Sequence, residues 1–325
     1  MIATAPGKLI LTGEYAVLDG APALVMAVSR RAVARRTAAP PEPGSPFLAA
    51  VAAELAVRRG PADPAALAAR EIAVDSRAFF DDGGATKLGL GSSAAVTVAA
   101  AALALAEAGA AARPEVLAVA LAAHAAAQGP RGARGSGADV AASVHGGLIA
   151  YTMSASGEAP PRIERRRWPA AVTLVPFFTG RSADTARLVA QVTAARAARP
   201  AEVDAALAAI ADASRAAIAA LAGPPELATT AVIGAFALAG HAVDALARAT
   251  GAALVPDCAL AARAALGRLG GTAKTTGAGG GDLAVGVVPA AADGTEVARA
   301  LIQAGCRPLP LSLDETGVDT RPGAG

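Results

Sequence analysis

Three lysines pose the chemical question in this chain. Among 29 basic residues only Lys8, Lys87 and Lys274 are lysine, and each lies in or just before a glycine-rich segment: "APGKLILTGEY" (5–15), "KLGLGSSAA" (87–95) and "KTTGAGGGD" (274–282). Glycine lets a backbone approach a phosphate closely and aim N–H groups at it, and a helix N-terminus adds partial positive charge. A lysine beside such a turn is a compact point charge that the planar arginine fork does not reproduce. Together the three segments read as a phosphate cage. Taken singly, each is equally a plain turn with a solvated lysine, because short glycine motifs also match by chance.

Asp139, in "GSGADVAAS", is the candidate acid–base group. It follows a Gly-rich turn and leads into small and apolar residues, a context that holds a carboxylate ionised at a helix start. An ordinary N-cap aspartate has the same context. Arg131 and Arg134 flank that turn and could hold an anion or be solvated; His124 and His145 read equally as helix-packing and surface residues.

These groups need elements to position them. "KLILT" (8–12) and "ALVMAV" (23–28) read as strands joined through a turn, and "REIAVDS" (70–76) as a third. Helices are expected at 47–59, after the Gly-Ser turn up to Gly109, and at 113–129 with Pro114 in the first turn. "LIAYTM" reads as a strand and "SASGEAPPRIERRRWP" as a polar connector, so a lobe boundary falls near residue 160, giving lobes of 1–165 and 166–325. The second lobe opens with the strand "AVTLVPFF" (171–178) and continues with helical patterns at 183–221, 225–250 and 257–269. Strand "LAVGVVP", a helix at 293–304 and strand "RPLPLSL" follow, and the tail "DETGVDTRPGAG" is expected to be disordered.

Composition narrows the functions. A formal charge of +2 and 3% aromatics provide neither a strong basic field nor a stacking surface for nucleic acid. Two cysteines and three histidines offer no zinc spacing. The 54% hydrophobic content is mostly alanine and no stretch looks long and bulky enough to span a bilayer, so no membrane partner and a cytoplasmic location are expected. The P-loop pattern GxxxxGK[ST] is absent. "GLGSSA" does match G-x-G-x-x-[GA], with Glu107 near the distance of a ribose contact, but "FFDDGGATK" upstream is not a buried parallel strand, which argues against a dinucleotide-binding unit.

In this order, the three segments resemble the motifs of the GHMP kinase superfamily, from Ala5 to about Val288. The resemblance implies an α+β, two-lobed fold with a ribosomal-S5-domain-2-like N-terminal lobe and a ferredoxin-like C-terminal lobe. It implies ATP and Mg2+ as cofactors. Lys87, Gly89, Leu90, Gly91, Ser92, Ser93 and Ala94 would hold the nucleotide, Ser93 would ligate the metal, and Lys8 and Asp139 would be catalytic. Substrate would meet Arg131, Arg134, Ser136, Gly137, Arg181, Ser182, Thr185, Lys274, Gly279 and Gly280.

"GSGADVAASVHGGLIAY", "KTTGAGGGD" and "FFTGRSADTARLV" look like the phosphomevalonate kinase branch, although Asp184 stands where that branch has Ser. Gln128 stands where mevalonate kinases carry a metal-binding Glu. The implied reaction is phosphorylation of 5-phosphomevalonate, a small phosphorylated substrate, by a monomer or homodimer. The alternatives are phosphorylation of mevalonate or another small alcohol, and a non-catalytic ligand sensor on the same fold.

Overall fold

A computed structural model describes residues 1–38, 44–81, 84, 86–129, 135–154 and 159–323. The chain opens with two long strands, β1 (Ile2–Thr12) and β2 (Ala23–Arg36), paired antiparallel. Their connection folds back sharply at Gly13, where φ is +90° and a Cβ would stand 2.6 Å from the Pro22 carbonyl, so only glycine fits. Helices α1 (Pro46–Arg59) and α2 (Pro64–Ala69) lead to β3 (Ile72–Asp75), which pairs with β2.

Next come α3 (Ser92–Glu107), α4 (Arg113–Gln128), α5 (Ala138–His145), β4 (Leu148–Thr152) and β5 (Arg162–Arg166). Helix α3 is apolar on every side because it is buried on every side, and its alanines let β1, β2, α4 and α5 close around it.

The second sheet starts at β6 (Val172–Phe178). Four helices follow, α6 (Thr185–Ala198), α7 (Pro200–Ala220), α8 (Ala228–Thr250) and α9 (Asp257–Gly267), then β7 (Thr272–Thr275), β8 (Leu283–Pro289), α10 (Gly294–Gln303) and β9 (Arg307–Pro308). Its order, β7-β8-β6-β9, puts the first and third strands in the middle, the ferredoxin-like arrangement. The other sheet runs β10-β1-β2-β4-β5, where β10 is Asp319–Arg321. One core joins both sheets: Leu9 and Leu24 belong to the same buried cluster as Phe178, Phe236 and Val285.

Several elements differ from the sequence expectation. The helical pattern 183–221 is two helices, because Pro200 cannot continue α6 and instead opens α7. The connector at 154–169 contains β5, an edge strand of mainly charged residues that pairs with β4. Of "RPLPLSL" only Arg307–Pro308 forms a strand. The tail is ordered through residue 323: β10 pairs with β1, and Arg31 holds the segment through an ion pair to Asp314 and a 2.6 Å bond to the Gly317 carbonyl. Helix α8 with the turn before it is long and apolar enough to cross a bilayer, contrary to expectation. It packs instead along α7, with Val232, Phe236, Val243 and Leu246 buried.

Candidate active site

The N-terminus of α3 organises the site. β1 reaches it closely: the Lys8 N–H donates to the Leu90 carbonyl at 2.9 Å, and a Cβ on Gly7 would stand 2.6 Å from that same oxygen. Gly91, at φ 72°, is the N-cap, and no side chain caps the helix. The N–H groups of Ser92, Ser93 and Ala94 thus face outward as an anion-binding end. Lys8 is laid across this end: a Cβ on Gly91 would come within 2.9 Å of Lys8 Cε. The expected parallel strand of a dinucleotide-binding unit is missing here, since every strand pair among the described residues is antiparallel. Glu107 pairs with the chain's amino terminus at 3.4 Å.

Three carboxylates act on Lys8. Burial, with a smaller contribution from the Lys87 charge, pushes its ammonium below the ordinary lysine range, while Asp139, then Asp282 and last Glu14 pull it back toward the charged form. Asp139 sits in the first turn of α5, behind the Gly137 N-cap at φ 78°, and faces the cavity. Asp282 closes the third glycine-rich segment with φ 50°, packs against Gly89, and accepts the Ala183 N–H at 3.1 Å through Oδ1. Burial raises its pKa, against the Ala183 N–H and the charges of Lys8 and Lys87. Asp282 has no expected role from sequence, although it lies inside a quoted motif. Its signal is a non-glycine residue that must take a left-handed turn after three glycines.

Lys8, Gly89, Ser136, Asp139, Thr185 and Gly279 line one cavity of about 200 Å³, together with Glu14, Tyr15, Gln128 and Asp282. Glu14 and Tyr15, which follow Gly13, were not singled out by the sequence. Tyr15 has φ 59° and its hydroxyl donates to the Ala278 carbonyl at 2.7 Å, tying the β1 end to the third loop. Glu14 is 3% exposed; burial raises its pKa while Lys274 lowers it, and its Oε2 has no partner among the described residues.

Lys274 is a correction. It belongs to β7 and not to the glycine loop, and its Nζ is spent on Glu14 Oε1, the Leu11 carbonyl (2.9 Å) and the Thr275 carbonyl (2.6 Å). With three N–H donors and three protein acceptors, this fully buried lysine joins the two sheets and has nothing left to offer a substrate.

The remaining expected residues fall around these. Lys87 is exposed and its carbonyl accepts from Ser182 Oγ at 3.2 Å, which brings the Arg181–Ser182 turn beside the second loop. Arg181 is exposed and contributes its carbonyl to the Asp282 N–H at 2.7 Å. Leu90 and Ala94 are buried, so only their backbones are available. Gly280 packs against Leu254 and Leu188 rather than lining the cavity. Asp184 is the N-cap of α6, accepting the Arg187 N–H at 3.0 Å. Arg131 and Arg134 lie outside the described residues. His145 ends α5, whereas His124 lies 3.2 Å from Ser93 Oγ.

No protein-family model matches the chain, and no curated protein matches it. Solved structures do. The Lin0012 protein from Listeria innocua superposes with a TM-score of 0.80 at 21% identity, over 99% of this chain and 100% of that one. A Streptococcus pneumoniae phosphomevalonate kinase, in complex with phosphomevalonate and AMPPNP, gives 0.76 at 18% over 96% and 99%. An L. major mevalonate kinase in complex with R-mevalonate gives 0.63 at 20% over 93% and 90%. The chain has the GHMP kinase fold.

Proposed function

We propose that this chain transfers the γ-phosphoryl group of ATP to the phosphate of 5-phosphomevalonate, giving ADP and 5-diphosphomevalonate. The observation that carries the reading is the lysine stem lying across an uncapped helix N-terminus with Asp139 and Asp282 beside it. Phosphoryl transfer asks a protein mainly for positioning and charge neutralisation, which is what this arrangement supplies. The α3 N–H groups bind phosphate oxygens, Lys8 neutralises the transferring group, and Lys87 adds charge from the rim. A phosphate acceptor is already an anion near neutral pH, so Asp139 orients Lys8 and the acceptor instead of removing a proton.

The base of the nucleotide has a place as well. Leu48, Ala49, Ala52, Val74 and Val96 border an apolar cavity between α1, β3 and α3, and Val96 is about one turn from the phosphate-binding end. The Ser93 hydroxyl beside that end is an oxygen donor that suits Mg2+. No cluster of three or more His, Cys, Asp or Glu residues able to hold a metal occurs among the described residues. Ser93 would be the residue that holds an ion carried mainly by the nucleotide. When bound, Mg2+ supplies charge neutralisation on the phosphates.

The preference for a phosphorylated acceptor is supported by the better superposition on the phosphomevalonate kinase than on the mevalonate kinase, and by Gln128. ADP release from ATP in the presence of 5-phosphomevalonate tests the reading. Lys8→Ala should lower turnover about 10²- to 10³-fold without loss of fold; near-normal turnover in that variant would remove the assignment.

A further inference from the structure

His124 is 2% exposed on α4, and its Nε2 is the meeting point of the site's polar groups. Ser93 Oγ lies 3.2 Å away, the Gln128 amide nitrogen 3.3 Å and Asp139 Oδ2 4.0 Å. The ring stacks on Phe47 with centroids 5.4 Å apart and planes 25° from parallel. We propose that His124 is a positioning residue, which takes the Ser93 hydroxyl hydrogen bond and so aims the serine oxygen at the cation carried by the nucleotide.

An amide nitrogen only donates, so Nε2 is the acceptor toward Gln128 and the ring proton is on Nδ1. The single Nε2 lone pair is shared between that N–H and the Ser93 O–H, as the two long distances of 3.3 and 3.2 Å allow. A serine that gives away its proton keeps both oxygen lone pairs for a ligand. Gln128 donates to His124 in turn, and its own Oε1 packs close to Gly135, where a Cβ would stand 2.5 Å away. The inference rests on the nucleotide reading above, and it gives Gln128 a task distinct from direct metal binding.

The competing explanation is that His124 only packs against Phe47, and His124→Phe separates the two because it keeps an aromatic ring and removes the acceptor. The affinity of ADP is measured by calorimetry with and without Mg2+, with a thermal melt for each variant. Positioning predicts that His124→Phe weakens Mg2+-dependent ADP binding about 10-fold or more while metal-free ADP binds as before. It also predicts that His124→Gln, which places an amide near the same spot, restores most of the effect, and that Ser93→Ala/His124→Phe is no weaker than Ser93→Ala. If Phe does not fold, His124→Asn, too short to reach Ser93, carries the same expectation. Wild-type-like Mg2+ dependence in the substituted protein overturns the inference alone; a wild type whose ADP binding is indifferent to Mg2+ overturns the nucleotide reading with it.

Discussion

At Lys8, burial and three carboxylates act in opposite directions, and the balance sets a pH dependence. The ammonium has to be charged to neutralise phosphate, so kcat/KM falls as pH rises through its pKa. Burial puts that alkaline limb below the range of a solvated lysine. Asp282 raises the Lys8 pKa, so Asp282→Asn, which keeps an oxygen for the Ala183 N–H, should move the limb to still lower pH. A pH–rate profile whose limb is unmoved or shifted upward contradicts this assignment of the titrating group. At this scale the sequence was informative where chemistry is rare: three lysines among 29 basic residues pointed to the loops. It was silent where geometry decides. Nothing in "GRLGGTAKTTG" shows that Lys274 sits in a strand facing Glu14, and nothing in α4's alanines shows that His124 reaches across to α3.

At the scale of elements, the helices were legible because long runs of helix formers end at Gly or Pro, and α1, α3, α4 and α10 stand within a few residues of expectation. Three of the short strands were not, although β3 and β4 were. β5 is a charged edge, β7 has four residues, and β10 is specified by its pairing to β1 and not by its own pattern. Pairing of this kind depends on residues more than 300 positions away. Helix α1 has a functional consequence of its own, since its inner face forms one wall of the apolar cavity beside α3. Ala52→Phe should fill that space and raise the KM for ATP roughly tenfold or more, with the acceptor KM unchanged. Steady-state kinetics with each substrate varied in turn checks it, and equal effects on both KM values would place the base elsewhere.

Across the whole molecule, the two sheets are held by a shared core and by the buried Glu14–Lys274 pair, and the 2.9 Å Thr12–Ser214 hydroxyl contact ties β1 to α7. The cavity lies where these connections meet, so stability and site are coupled. Lys274→Met leaves Glu14 buried without its cation and should cost about 3–5 kcal/mol. Glu14→Gln/Lys274→Met, which removes both charges, should recover a large part of that loss in urea denaturation; no recovery would mean that Lys274 contributes mainly through the two carbonyls. The mixed helix-and-sheet plan was visible in the sequence, but the return of the C-terminal strand to the first sheet was not. The most direct test of the central claim follows the phosphorus atoms. With ATP and 5-phosphomevalonate, 31P NMR should show the substrate's phosphomonoester signal replaced by a coupled diphosphate pair as ADP accumulates. Phosphorylation of mevalonate with 5-phosphomevalonate left unchanged, or no new phosphorus–oxygen–phosphorus linkage with any acceptor, would contradict it.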